Sequence, residues 1–277
     1  MPGLPSSPSH PSSGQRLSAD PFPDVHAFCL FVGYSRSGHS LVGALLDAHP
    51  EITIAHEANA LKLVVDENLS REALFENLVE NARRQAEHPR GRHASGGYSF
   101  VIPDQWQGRA SRLRVIGDKM GGRTRGRLER DPTELGTLAR LVRAPVRVLH
   151  VTRNPYDCIA RRVVVSKDGL TIRDAIDNFG RSARTIDEVV VAGGAASVLT
   201  IRHESLVAAP QAELARACGF LGVEAGEDYL DACASVVFPS PQTARGLVEW
   251  TQADRDAVDG IIGRHEFLAG YSWTSVD

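Results

Sequence analysis

Cysteine is scarce in this 277-residue chain, and its four residues, Cys29, Cys158, Cys218 and Cys233, stand far apart with no CxxC pair. That spacing excludes a disulfide-stapled scaffold, and their apolar surroundings mark them as buried free thiols of a reducing compartment. No His/Cys cluster has ligand spacing either, so no metal is expected. Long hydrophobic runs are also missing. None reaches the length of a membrane-spanning helix, which gives the expectation of a soluble, cytoplasmic protein with no integral membrane segment. An excess of one charge is absent: the net charge of −3 offers no reason to look for nucleic acid or an anionic membrane surface as the main partner. The first 24 residues, MPGLPSSPSHPSSGQRLSADPFPD, are rich in Pro and Ser without an apolar core. They read as a disordered tail, neither signal peptide nor anchor, ahead of one domain over residues 25–277.

What is present is an alternation. Apolar strand-type runs at 27–32, 52–54, 114–117, 146–151 and 197–201 are separated by helical patterns at 40–48, 58–87, 133–143, 155–165, 171–192 and 210–221, with a last one at 251–266. Thr133 reads as a helix cap. Such alternation predicts a single-domain α/β fold with a parallel β-sheet flanked by helices on both faces. Gly33 to Ser40 reads GYSRSGHS after the first strand. It fits the phosphate-loop template at every fixed position but one, because His39 stands where the lysine belongs. A glycine-bracketed turn into a helix N-terminus presents backbone N–H groups to an anion. Without the lysine that reaches outer phosphates, the loop argues for a nucleotide whose reactive group is not a γ-phosphate.

Ligands of parallel α/β sheets bind where the strands end. The five predicted strand ends carry the 33–40 loop, His56-Glu57, Asp118-Lys119, Thr152-Arg153-Asn154 and Arg202-His203-Glu204. In order and spacing these segments resemble the sulfotransferases that use 3′-phosphoadenosine 5′-phosphosulfate (PAPS). Gly33-Tyr34-Ser35-Arg36-Ser37-Gly38-His39-Ser40 looks like the family's 5′-phosphosulfate loop, continued by Leu46-Asp47-Ala48-His49-Pro50. Val151-Thr152-Arg153-Asn154-Pro155-Tyr156-Asp157 resembles its 3′-phosphate segment. Glu204 before a helix ending in Phe220-Leu221-Gly222, and the closing Trp250 and Gly270-Tyr271, follow the same pattern. Glu57 and Lys119 look most like the tyrosylprotein and carbohydrate branches.

The resemblance implies a P-loop NTPase-like sulfotransferase fold and transfer of a sulfuryl group from PAPS to a hydroxyl, or an amine, of a small-molecule, carbohydrate or peptide acceptor, leaving 3′,5′-adenosine bisphosphate. It implies that Gly33, Arg36, Ser37, Gly38, His39, Ser40, Arg153, Arg161 and Arg245 bind the cofactor. It further implies that Glu57 takes the acceptor proton while Lys119 and Ser40 stabilise the leaving oxygen. Alternation along an extended strand would let only one of His56 and Glu57 face the cleft. Lys119 has a plainer reading, as the ion-pair partner of Asp118 or Glu129, while Asp118 and Glu204 read as structural groups that orient loops.

Two departures stand out. His39 replaces a hydroxyl residue and reads as a hydrogen-bonded loop residue. At position 161, where the family has a phosphate-binding serine, this chain has Arg161-Arg162; Ser166 lies five residues on, about 7.5 Å along a helix. Residues 109–130, with eight basic side chains, read for most of their arginines as a solvated, mobile face, and with their interleaved glycines the stretch also suits a flexible flap over an anionic cofactor or an acidic acceptor. The 89–109 stretch reads as a surface excursion. A P-loop kinase or hydrolase, and a non-catalytic nucleotide-binding protein of the same fold, remain as alternatives.

Overall fold

Residues 20–88 and 100–275 are described in a computed structural model of the chain. Most of the sequence-predicted tail and about half of the 89–109 excursion lie outside the described residues. The elements in order are β1 (Ala27–Val32), α1 (His39–Asp47), β2 (Ile52–His56), α2 (Ala60–Val65), α3 (Arg71–Glu87), β3 (Val115–Lys119), α4 (Gly121–Arg130) and α5 (Thr133–Val142). They continue through β4 (Val146–Thr152), α6 (Pro155–Val164), α7 (Ile172–Ser197), β5 (Val198–Arg202), α8 (His203–Ala208), α9 (Pro210–Leu221), α10 (Glu227–Ser235) and α11 (Gln252–Ile262). The strands form one sheet in the order β2-β3-β1-β4-β5, and every pairing is parallel.

The central place of β1 follows from its composition. All six of its residues are buried, which is what a strand covered on both faces requires. Phe28, Leu30 and Val32 enter the core under α2, α3 and α5, while Ala27, Cys29 and Phe31 enter the one under α1, α9 and α10. The pairs Leu30↔Asp118, His56↔Lys119, Val32↔His150 and Thr152↔Arg202 keep the carboxyl ends of the strands level. The chain leaves β1 toward β2 on one side and leaves β4 toward β5 on the other. A crevice therefore opens between the loops after β1 and β4.

Several local expectations are corrected. Residues 121–130 form helix α4 rather than a flexible flap. Arg127 on it is buried, with Nη2 at 2.7 Å from Asp66 Oδ1 and Nε at 2.6 Å from Glu134 Oε2, so a two-carboxylate clamp fixes a helix of low intrinsic propensity. Thr133 does not cap α5; Asp131 Oδ1 instead accepts its backbone N–H at 2.9 Å. The predicted 58–87 helix is two, because Asn68 takes a left-handed φ of 52° and Ser70 caps α3. Residues 100–109 are not wholly superficial, since Ile102 is buried and Gly108 donates to Asp47 Oδ2 at 2.9 Å. The tail boundary also moves: Asp20 pairs with Arg71 at 2.8 Å and Phe22 packs edge-on against Phe75.

Candidate functional site

The carboxyl ends of the strands surround a cavity of about 820 Å³. Among its walls are Gly33 to Arg36, Gly38 to Leu41, Glu57, Phe100, Lys119 to Arg123, Arg125, Arg153, Arg161, Arg162, His203 and Gln242. Seven of these side chains are cationic and one, Glu57, is acidic.

The β1–α1 loop forms the floor. Gly38 is the N-cap of α1 with φ 103° and no side-chain cap, so the first N–H groups of the helix have no intrahelical partner. A Cβ at Gly38 would lie 2.7 Å from His203 Nδ1, which only glycine avoids. That imidazole is 3% exposed, and its Nδ1 has no hydrogen-bond partner among the described residues. Burial pulls its pKa down to about 3, so it is neutral. The sequence placed His203 at a strand end without giving it a role.

His39 is also buried and is held by hydrogen bonds, as its loop position suggested. Its Nε2 lies 3.2 Å from the Val32 carbonyl and its Nδ1 3.1 Å from Ser37 Oγ. The ring occupies a slot between Gly33 and Gly121, where a Cβ would stand 2.4 and 2.5 Å from Nε2. Burial lowers its pKa to about 4. Ser37 is spent on this internal contact and on the Tyr34 carbonyl at 2.9 Å; its side chain is not part of the cavity wall.

Lys119 is the meeting point of one end of the cavity. Its side chain is 4% exposed, and its Nζ lies 3.0 Å from Glu57 Oε1, 3.2 Å from Ser40 Oγ and 3.4 Å from His56 Nε2. The expected alternation of His56 and Glu57 fails because Glu57 has a left-handed φ of 60°, which turns the chain as the strand ends. Both side chains therefore reach the same amine. Asp118 braces that turn by accepting N–H bonds from Ala58 at 3.0 Å and Ala60 at 2.8 Å, and burial pushes its pKa up to about 6. Lys119 forms its ion pair with Glu57, while Glu129 pairs with Arg125. A smaller cavity adjoins Lys119 on its other side, lined by Asp47, His56, Gln85, Phe100 and Gln107.

At the far end, Arg153 donates from Nη2 to the Gln242 carbonyl, while its buried Nε has no partner among the described residues. Arg161 and Arg162 both line the cavity from α6. Arg36, with φ 74°, sits near enough to them that burial and then their positive charge lower its pKa. Glu204 is structural, accepting from Asn154 N at 2.9 Å and Tyr271 Oη at 2.6 Å.

Arg245, like Ser37, departs from the sequence-predicted ligand set. It is not part of the cavity wall, and its guanidinium is used inside the protein: Nη2 lies 2.7 Å from Asp157 Oδ2, and Nη1 donates to the carbonyls of Ser272, Trp273 and Ser275. Its role here is to tie the C-terminal segment to α6. The segment that does supply an atom to Arg153 is the nearby Gln242.

A parallel five-stranded sheet with a glycine-bracketed loop between its central strand and α1 defines an α/β protein with its cavity at the carboxyl ends of the strands. A family model described as "Sulfotransferase family" matches residues 30–227, and the chain belongs to that family. Its fold is similar to the sulfotransferase domain of the Synechococcus PCC 7002 olefin synthase, at 19% identity over 86% of this chain and 94% of that one, with a TM-score of 0.49. The sulfotransferase domain of the curacin biosynthetic pathway is similar at 16% identity over 87% and 96%, with a TM-score of 0.49. Mouse sulfotransferase SULT7A1, solved with PAP, is similar at 11% identity over 87% and 84%, with a TM-score of 0.43. No curated protein matches the chain. Among the described residues no helix is long and apolar enough to cross a membrane, and no group of three or more His, Cys, Asp or Glu side chains is placed to hold a metal.

Proposed function

We propose that the protein transfers a sulfuryl group from PAPS to a hydroxyl of its acceptor. The observation that carries this reading is the Lys119 amine, set between Ser40 of the anion loop and the Glu57 carboxylate at the mouth of a cavity with six arginines. The residues fit such a donor. The orphaned, buried Nδ1 of His203 and Nε of Arg153 border the space an anionic nucleotide would occupy, and Gly38 leaves the helix N-terminus open to it. When bound, the donor supplies an activated sulfuryl group on a phosphate.

In this reading Arg36 and the N–H groups at the start of α1 hold the 5′ side, and Arg153 with Arg161 holds the 3′-phosphate. Glu57, 48% exposed in its side chain, is within reach of an acceptor hydroxyl and takes its proton. Lys119 and Ser40 donate hydrogen bonds to the oxygen that gains charge as the leaving group departs. Positioning and charge stabilisation supply most of the rate, as in phosphoryl transfer. A localisation in the cytoplasm accords with the four buried free cysteines.

The test is calorimetry of the full-length protein with 3′,5′-adenosine bisphosphate, 5′-AMP and ATP. The bisphosphate binds more than about tenfold tighter than 5′-AMP, a difference of about 1.4 kcal/mol, and Arg161→Ala loses most of that preference. Tighter binding of ATP than of the bisphosphate sinks the proposal and redirects it to a nucleotide kinase or hydrolase. A preference unmoved by Arg161→Ala leaves the 3′-phosphate to Arg153 and its neighbours.

A further inference from the structure

We propose that the acceptor itself is an anion and that Arg123, in the first turn of α4, recognises its negative group; this rests on the PAPS reading above. The argument is a balance of charge. The described residues of the cavity bring Arg36, Lys119, Arg123, Arg125, Arg153, Arg161 and Arg162 against a single carboxylate, Glu57. That leaves six positive charges uncompensated within the lining. A donor with one phosphomonoester and one phosphosulfate carries about four negative charges at neutral pH. About two positive charges remain, or about one once Arg125 is set against Glu129, in a space that also takes the acceptor.

Which cations are left over follows from their partners and their place. Arg125 is partly neutralised from outside the cavity by Glu129, its neighbour one helical turn on. Arg153 and Arg161 sit at the far end, and Arg162 is close enough to Tyr34 and Arg36 to perturb both. Arg123 differs. It follows Lys119 by four residues in the chain, in the first turn of the helix that leaves β3, and is exposed at the cavity wall with no ion-pair partner among the described residues.

Local energetics give no other reason for an arginine there. The first turn of α4 contains no acidic residue and no side-chain cap, so a cation stands where the helix dipole disfavours it. Gly122 beside it faces open space, leaving the backbone accessible as well. Two helix-stabilising rules are broken at one place on the rim of the site, which is where a functional constraint overrides local preference.

The test titrates the full-length protein with inorganic phosphate by calorimetry, with and without saturating 3′,5′-adenosine bisphosphate. Phosphate is expected to bind the bisphosphate-saturated protein; Arg123→Ala weakens it about fivefold or more, Arg123→Lys restores most of the affinity, and bisphosphate binding stays within about twofold. Phosphate binding unchanged in Arg123→Ala overturns the proposal, because the ion then sits where the sulfuryl group was. No phosphate binding up to about 20 mM overturns it too. Loss of bisphosphate affinity in Arg123→Ala also overturns it, assigning the arginine to the donor. Arg123-dependent phosphate binding in a protein that ignores the bisphosphate sinks the donor reading while the anion site stands. Competition by glucose 6-phosphate against glucuronate then separates a phosphorylated from a carboxylated acceptor.

Discussion

His39 should make the protein sensitive to acid in a way that one substitution removes. The imidazole is buried between Gly33 and Gly121 and held neutral, with its pKa lowered from 6.5 to about 4 chiefly by burial. In the unfolded chain the same ring titrates near its ordinary value. The unfolded state therefore takes up the proton first, so this contribution to stability is complete above about pH 6.5 and is lost as pH falls toward 4. At pH 5 the unfolded imidazole is almost fully protonated and the folded one is about a tenth protonated, a differential of roughly 1.5 pKa units or about 2 kcal/mol. His150 and His203 act in the same direction, whereas Asp47, raised to about 7, and Asp118, raised to about 6, act in the opposite one. A comparison with His39→Gln cancels these, apart from the smaller part of the His150 shift that His39 itself causes. The variant loses imidazole packing and the Val32 contact and is less stable at pH 8 by roughly 1–3 kcal/mol. Guanidinium denaturation at pH 8 and pH 5 should show that deficit shrinking by about 2 kcal/mol at the lower pH. A deficit that stays constant to within about 0.5 kcal/mol refutes the neutral, buried ring.

Glu57→Gln should lower turnover by about 10²–10⁴ while 3′,5′-adenosine bisphosphate binds within about threefold of native; unchanged turnover moves the base to His56 or His39. Arg245→Met strands the buried Asp157 carboxylate and releases the C-terminal carbonyls, so it should cost about 3–5 kcal/mol in chemical denaturation with little change in nucleotide affinity. The reverse pattern would return Arg245 to the cofactor site. Gly38→Ala forces a side chain into φ 103° and against His203, and should weaken the bisphosphate at least about tenfold. Gly219→Ala, in α9 with open space around it, should instead stabilise the fold by about 0.5–1 kcal/mol, and equal effects of the two would discredit the loop geometry.

Much of the fold was legible because its signals are local. Six consecutive apolar residues at 27–32, too short for a helix and closed by Gly33, read as a strand buried on both faces, and the 33–40 loop needs no distant partner to turn into α1. The parallel sheet, the glycine-bracketed loop after β1 and the strand-end positions of Glu57, Lys119 and Arg153 follow from periodicity and motif alone. Tertiary structure decided the rest. That His56 and Glu57 both reach Lys119 depends on one positive φ, stabilised by Asp118 from a strand 60 residues away in sequence. That 121–130 is a helix depends on Arg127 finding Asp66 across 61 residues, since Gly-Gly-Arg-Thr-Arg-Gly has no helical signal of its own. Arg245 looks like a phosphate ligand in sequence, yet Asp157 and three backbone carbonyls claim it. Periodicity and turn chemistry act between near neighbours and can be read from the chain. Partnerships between charged groups are chosen only when distant segments share a low-dielectric space, where a carboxylate must find a cation or be neutralised.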